Sequence, residues 1–387
     1  MEVKKITEIG EAFLDDIEYF EKKIKNITKL SYWNPEEKVI QFLNESIKVP
    51  EHSNIVEYIF SYDLGESTKE NILKKFGIRS PANNADIVIT PSGTASIYSV
   101  VNLLKKKNIN KIGVVAPVYF SFEHVCNNLD VNFECFYLKS KANSYILGEQ
   151  DKLEVLSHDV IWITNPVYCT SVFYDELKKD ISKWLDLGKM IVLDESLCLH
   201  GYELIREFQF HENLISILSP HKALCVNGMK FSGIVTSKAN SIVLNEWLDI
   251  IVGCLSISNK KAIDHFLSNN FDQVNSSFIN RVLVPNQKLV FNICREYDVI
   301  TDVTSLGGFM TLYFKNIPLD YFDKTSNLQE MMKITNCSFI PGSRNYFDPQ
   351  EGFCFRINLS RVTEKCLDDL EKLIKYLKRL EREIMDV

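Results

Sequence analysis

The chain has 387 residues, of which 45% are apolar and 25% charged, with a net charge of −7 and a pI near 5.6. That length predicts about two to three domains, or one large α/β unit with a smaller satellite. The acidic balance argues against a nucleic-acid partner, which needs a clustered basic surface.

Met1-Glu2-Val3-Lys4-Lys5 leads into an acidic amphipathic stretch without an apolar core, so no signal peptide is expected. Leu14, Ile17, Phe20 and Ile24 fall at helical spacing, and residues 1–45 read as helical. From about Asp86, short apolar runs alternate with amphipathic segments. Ile87–Thr90 precedes a helix over Thr94–Lys106, and Gly113–Ala116 a helix over Tyr119–Asn128. Val160–Ile163 precedes a helix over Asp175–Leu187, and the strands Met190–Leu193 and Ile215–Leu218 follow. Near-continuous apolar strands between helices predict a mostly parallel sheet covered on both faces. The longest apolar run, Ile250–Leu255, is far short of the ~20 residues of a membrane span.

After Pro285 the pattern changes to a helix over Gln287–Tyr297, strands from Gly307 and Phe353, and a final helix capped by Thr363. The expected organisation is an N-terminal segment over 1–45, a large domain over 46–284 and a smaller α+β domain over 285–387. The ten cysteines include no C-x-x-C pair and sit in apolar patterns. They read as reduced core residues of a cytoplasmic protein, and their spacing gives no metal site.

Five apolar runs stop at residues with chemistry to offer. Ser92-Gly93-Thr94 joins a strand to a helix, whose free first amides suit a phosphate, or it is a plain N-cap turn. Tyr119 follows Ala116-Pro117-Val118, and Asn165-Pro166 closes a third run. Asp194 ends a fourth, as an anionic partner for a ligand or as a cap. Ser219-Pro220-His221-Lys222 closes the fifth; Lys222 is a nucleophile if desolvated and otherwise a solvated loop lysine. Ligands of such sheets bind beyond the carboxyl ends of the strands, where all five lie. Arg356, flanked by apolar residues, is costly to bury unless it is paired. Arg361 reads as a surface residue, His221 as a loop histidine beside Lys222, and His200 carries no assignable role.

In this order, from about Tyr62 to Arg356, these residues resemble the class I/II aminotransferases, fold-type I pyridoxal-phosphate enzymes. The resemblance implies a fold with a seven-stranded-type central sheet and a smaller α+β C-terminal domain. It implies pyridoxal phosphate on Lys222 as a Schiff base, Asp194 on the pyridine nitrogen, and Tyr119 stacked on the ring. Ser92, Gly93, Thr94, Ser219 and Lys230 would hold the phosphate, with Tyr62 reaching that of the other subunit in a homodimer. Asn165 would meet the ring's phenolic oxygen on the substrate side, and Arg356 the substrate α-carboxylate. The implied activity is transamination of an α-amino acid to a keto acid. Three departures stand out. Leu197 replaces the tyrosine of the family's D-E-x-Y pattern, Lys230 stands where the family has arginine, and Val167–Ser171 has lost the second Asn-Pro of N-P-x-N-P-T-G. They keep open a decarboxylase, a lyase or a secondary-metabolism enzyme on the same cofactor. A non-catalytic protein retaining the fold is the reading from another class.

Overall fold

A computed structural model describes residues 17, 20–32, 34–47, 61, 64–78, 84–141, 144–168, 170–302 and 307–386. In chain order its strands are β1 (Thr28–Lys29), β2 (Ala85–Thr90), β3 (Lys111–Ala116), β4 (Asn132–Lys141), β5 (Ser144–Leu147), β6 (Val160–Thr164) and β7 (Met190–Glu195). They continue with β8 (Leu214–Leu218), β9 (Ser232–Ser237), β10 (Ile300–Thr301), β11 (Phe309–Phe314), β12 (Cys337–Ser338) and β13 (Phe353–Asn358).

Among the described residues the large sheet has eight strands, in the order β2-β9-β8-β7-β6-β3-β4-β5. The pairings β3·β4, β3·β6, β6·β7 and β7·β8 are parallel, while β2·β9, β8·β9 and β4·β5 are antiparallel. The expected seven strands run from β2 to β4, and the hairpin partner β5 adds an eighth at the edge. Alternate residues of each strand enter different cores, as the two-residue period requires. Val160, Trp162, Val192, Ile215 and Ile217 pack on one side, and Ile161, Ile163, Ile191, Leu193 and Leu218 on the other. Both faces are therefore apolar, which is why the runs lack a polar alternation. Two antiparallel steps in succession leave β2 running the same way as β8. Consequently β2, β3, β6, β7 and β8 all end at one edge of the sheet, and their five terminal motifs share it.

The second sheet is antiparallel, in the order β10-β11-β13, and sets Arg356 opposite Thr311. The final helix, Glu364–Met385, starts at Thr363, whose side chain accepts from the Cys366 amide at 3.1 Å. Among the described residues no helix is long and apolar enough to cross a membrane.

The N-terminal stretch is less helical than its periodicity predicts. Its described helical residues are Ile17, Phe20, Glu21 and, beyond a gap, Glu37–Ser46. Asn26 takes a left-handed φ of 57°, which ends a helix. Thr28–Lys29 then pairs in parallel with Cys337–Ser338. Pro35 disfavours a helical Asn34, so the next helix starts only after it.

Candidate active site

The loop Pro91-Ser92 joins β2 to the helix Gly93–Lys106. Ser92 is the N-cap and accepts from the Ala95 amide at 3.2 Å, while the other first-turn amides have no partner within the helix. Ser92, Gly93, Thr94, Tyr119, Ser219, Lys222 and Lys230 line one cavity of about 250 Å³, together with Asn34, Asn227 and Phe231. Seven residues expected to share a site thus do so, drawn from three strand ends and the loop before β9.

The electrostatics of this cavity favour an anion. Lys230 is half-buried, and its pKa is lowered first by that burial and then by the charge of Lys222. Two cations beside a helix N-terminus make a concave positive site. A Cβ on Gly93 would lie 3.2 Å from Ser196 Oγ and 3.4 Å from Ser219 Oγ, so glycine keeps this hollow open. Ser196 Oγ is buried between this hollow and the Asp194 carboxylate. An open hollow lined by two cations, serine hydroxyls and a helix N-terminus fits a phosphate-bearing ligand.

Lys222 Nζ lies 4.6 Å from the centre of the Tyr119 ring. Asp194, the penultimate residue of β7, lies close by, is buried, and accepts from the Ser196 amide at 3.0 Å. Burial is the main influence on its carboxyl and raises the pKa; Ser196 and the charge of Lys222 oppose the rise. The Asn165 amide donates to the Asp194 carbonyl at 2.9 Å, tying the ends of β6 and β7 together. The Asn165 side chain donates to Glu195 Oε1 at 2.7 Å, and Asn165 borders a separate cavity of about 500 Å³ near Tyr174 and Glu203. Glu195 also accepts from the Leu204 and Ile205 amides, and burial pushes its pKa up to about 8.

Arg356 is only 2% exposed. Its Nη1 donates to the Tyr168 hydroxyl at 2.8 Å, its Nη2 to the Ser31 carbonyl at 3.4 Å, and its guanidinium lies 4.8 Å from the Phe309 ring centre. The Tyr168 ring lies 5.7 Å from that of Tyr119, so aromatic contacts link Arg356 to Lys222. Arg361 is half-buried, not a free surface group, because it donates to the Lys29 and Asn34 carbonyls and pins the segment over Arg356.

His221 is fully buried and lies 3.1 Å from His265, within an aromatic cluster that includes Phe231 and Phe271. Burial and the neighbouring His265 push its pKa down to about 3, so it packs as a neutral ring on the core side of the Lys222 turn. Tyr62, the expected phosphate contact of a second subunit, lies outside the described residues.

No protein-family profile matches the chain, and no curated protein does. Solved structures do match over nearly the whole length. A multiple-substrate aminotransferase from Thermococcus profundus superposes with a TM-score of 0.72 at 15% identity, covering 99% of this chain and 96% of that one. The chain has the fold of the class I aminotransferases, the fold-type I pyridoxal-phosphate enzymes. A methionine aminotransferase of Escherichia coli, YbdL, gives 0.74 at 12% identity, covering 97% and 99%. Cystalysin from Treponema denticola, which contains pyridoxal 5'-phosphate, gives 0.71 at 15% identity, covering 96% of each chain.

Four residues around the candidate site were not read from sequence. Tyr168 and Phe309 surround the Arg356 guanidinium, Ser196 borders the hollow at Gly93, and Ser232 accepts from Ser219 at 2.8 Å. Tyr168 lies three residues after Asn165 and Ser196 two after Asp194, where spacing alone announces no role. Phe309 and Ser232 depend on chain crossings that local spacing does not encode.

Proposed function

We propose that the protein is a pyridoxal-phosphate-dependent enzyme that transaminates an α-amino acid. The observation that carries this reading is the convergence of Lys222, Lys230, Ser219 and the Ser92–Thr94 helix start in one cavity beside Asp194. Lys222 would hold the cofactor as a Schiff base, and Ser92, Gly93, Thr94, Ser219 and Lys230 would hold its phosphate. Asp194 would keep a proton on the pyridine nitrogen, and Tyr119 would cover the ring face. Bound there, the cofactor supplies an electron sink for charge developing at the substrate Cα. Arg356 would bind the substrate α-carboxylate through paired N–H donors. Lys222, released by the incoming amine, would take the proton from Cα and return it to the cofactor side, as a general acid/base. The rings of Tyr119 and Tyr168 would exclude water from that transfer.

Borohydride reduction of the cofactor-loaded protein, followed by peptide mapping, tests this directly. The expected result is label on Lys222. In addition, Lys222→Ala should lose the visible absorbance of bound cofactor while keeping its circular dichroism. Label on any other lysine sinks the assignment.

A second reading keeps the cofactor and changes the bond broken. The likeness to cystalysin, together with Leu197 in the tyrosine position, supports a lyase. A panel of amino acids with detection of keto acid, CO2 and ammonia separates the two.

Further parts of the same reading are a homodimer in which Tyr62 of one subunit serves the other's phosphate, a cytoplasmic location, and division at about residues 45 and 284. Among the described residues the cysteines are all free, which supports a reducing compartment.

A further inference from the structure

We propose that the substrate carries an uncharged, apolar side chain, received by a cavity between the helix Glu37–Ser46 and the loop Cys225–Met229. The inference rests on the proposed chemistry at Lys222 and adds a substrate class to it. The cavity has a volume of about 380 Å³, within the range of small-molecule sites. Its apolar wall is Pro35, Ile40, Leu43, Ile47, Val226 and Met229. Among the described residues, its polar lining is supplied by the side chains of Asn34, Asn44 and Asn227, with no lysine, arginine, aspartate or glutamate.

The cavity adjoins the Lys222 site. Asn34 and Asn227 line both, and Asn227 Nδ2 donates to Asn34 Oδ1 at 3.5 Å, a long and weak bond. Asn227 Nδ2 also donates to the Cys225 carbonyl at 3.3 Å, which holds this residue between the two cavities. Three residues before Asn34 the Ser31 carbonyl accepts from Arg356 Nη2, so the segment that lines both cavities also touches Arg356. A substrate anchored by its carboxylate at Arg356 and its amine at Lys222 therefore has an apolar hollow next to it.

Charge decides the occupant. Among the described residues, a carboxylate or ammonium in this hollow would meet aliphatic groups and neutral amides with no counter-ion, which is less favourable than staying in water. An aliphatic or aromatic chain would shed its hydration against Ile40, Leu43 and Met229, which is favourable. The lining thus excludes the second carboxylate of a dicarboxylic amino acid and accepts a chain of the size of leucine, methionine or phenylalanine.

The experiment uses the cofactor-loaded protein and two readouts. The first is equilibrium binding, by calorimetry, of 4-methylpentanoate against pentanedioate, both unreactive carboxylates. The second is kcat/KM for leucine, methionine and phenylalanine against aspartate, glutamate and lysine. At least a tenfold preference for the apolar member is expected in both. Ile40→Lys, at a half-buried position on the cavity wall, should cut that preference at least tenfold and favour the dicarboxylates. A preference for charged ligands by the wild type overturns the inference and leaves the cofactor reading intact. An Ile40→Lys protein that dissociates into monomers with its selectivity unchanged also overturns it, and makes the hollow a contact between copies. Failure of Lys222 to take up cofactor sinks the functional reading itself, before any ligand is compared.

Discussion

Arg356 donates to the Tyr168 hydroxyl at 2.8 Å, although the two residues are 188 positions apart, one on the edge strand β13 of the small sheet and one in the loop after β6. That bond, with the Ser31 carbonyl and the Phe309 ring, fixes the plane of the guanidinium. Arg356→Lys keeps the charge and loses the planar fork. It should raise KM for an amino acid at least tenfold, on the order of 1.5–3 kcal/mol, with the cofactor spectrum unchanged. Tyr168→Phe should give a smaller rise in the same direction, about 1 kcal/mol. Unfolding or cofactor loss in Arg356→Lys would make the arginine a structural group instead.

Asp194 governs turnover in the proposed mechanism and has little part in cofactor retention, which falls to the phosphate contacts. Asp194→Asn leaves an acceptor for the Ser196 amide and removes the charge. The variant should retain cofactor and lose turnover by on the order of 3–4 kcal/mol of barrier, several hundredfold. Near-normal single-turnover rates would reduce Asp194 to a turn-forming residue.

The strands β2, β3, β6, β7 and β8 were legible because both of their faces are buried, so Val-Ile-Trp-Ile and its counterparts appear as unbroken apolar runs. Strand β9 was not. Ser232-Gly233-Ile234-Val235-Thr236-Ser237 carries three hydroxyls, and that of Ser232 is satisfied by groups distant in sequence: it donates to the Leu218 carbonyl of β8 at 2.9 Å and accepts from Ser96, in the helix after β2, at 2.9 Å. The site was legible for the same reason that it is local: each motif sits at the end of its own strand. What surrounds Arg356 was hidden, because Tyr168, Ser31 and Phe309 reach it from three distant segments. In the N-terminal stretch Ile17 and Phe20 of the stripe are helical, and what overreached was the extension to residue 45, since a stripe that ends at Ile24 gives no notice of Asn26 and Pro35 beyond it.

Two buried carboxyls make stability fall with rising pH. Asp302 accepts from the Thr311 amide at 3.1 Å and from the Tyr145 hydroxyl at 3.1 Å, and Tyr145 is in turn bonded to Tyr313. Burial pushes the Asp302 pKa up to about 8, with those hydrogen bonds opposing the rise; Glu195 is also pushed to about 8. Below about pH 4 the folded and unfolded states both hold the Asp302 proton, and nothing changes. Between there and pH 8 the unfolded chain releases the proton and the folded one keeps it. Each such group then removes up to about 1.4 kcal/mol of stability per pH unit. Asp302→Asn mimics the neutral carboxyl, so its Tm should fall less than that of the wild type from pH 6 to pH 9. Equal slopes in the two proteins would show that Asp302 is ionised throughout.

Gly93 offers a test of the phosphate hollow that leaves the reacting groups untouched. Its φ is not in the left-handed region, so alanine suits the backbone and raises helix propensity at the first turn. The added Cβ, however, would lie 3.2 Å from Ser196 Oγ and 3.4 Å from Ser219 Oγ, in the space where a phosphate would meet the helix amides. Stability and cofactor affinity should therefore move apart. Gly93→Ala is expected to keep or slightly raise Tm without cofactor and to weaken pyridoxal phosphate binding at least tenfold, about 1.4 kcal/mol. Titration of cofactor absorbance reads the affinity, and thermal unfolding without cofactor reads the fold. An unchanged affinity would place the phosphate away from Gly93, and with it the ring that Asp194 and Tyr119 are proposed to hold.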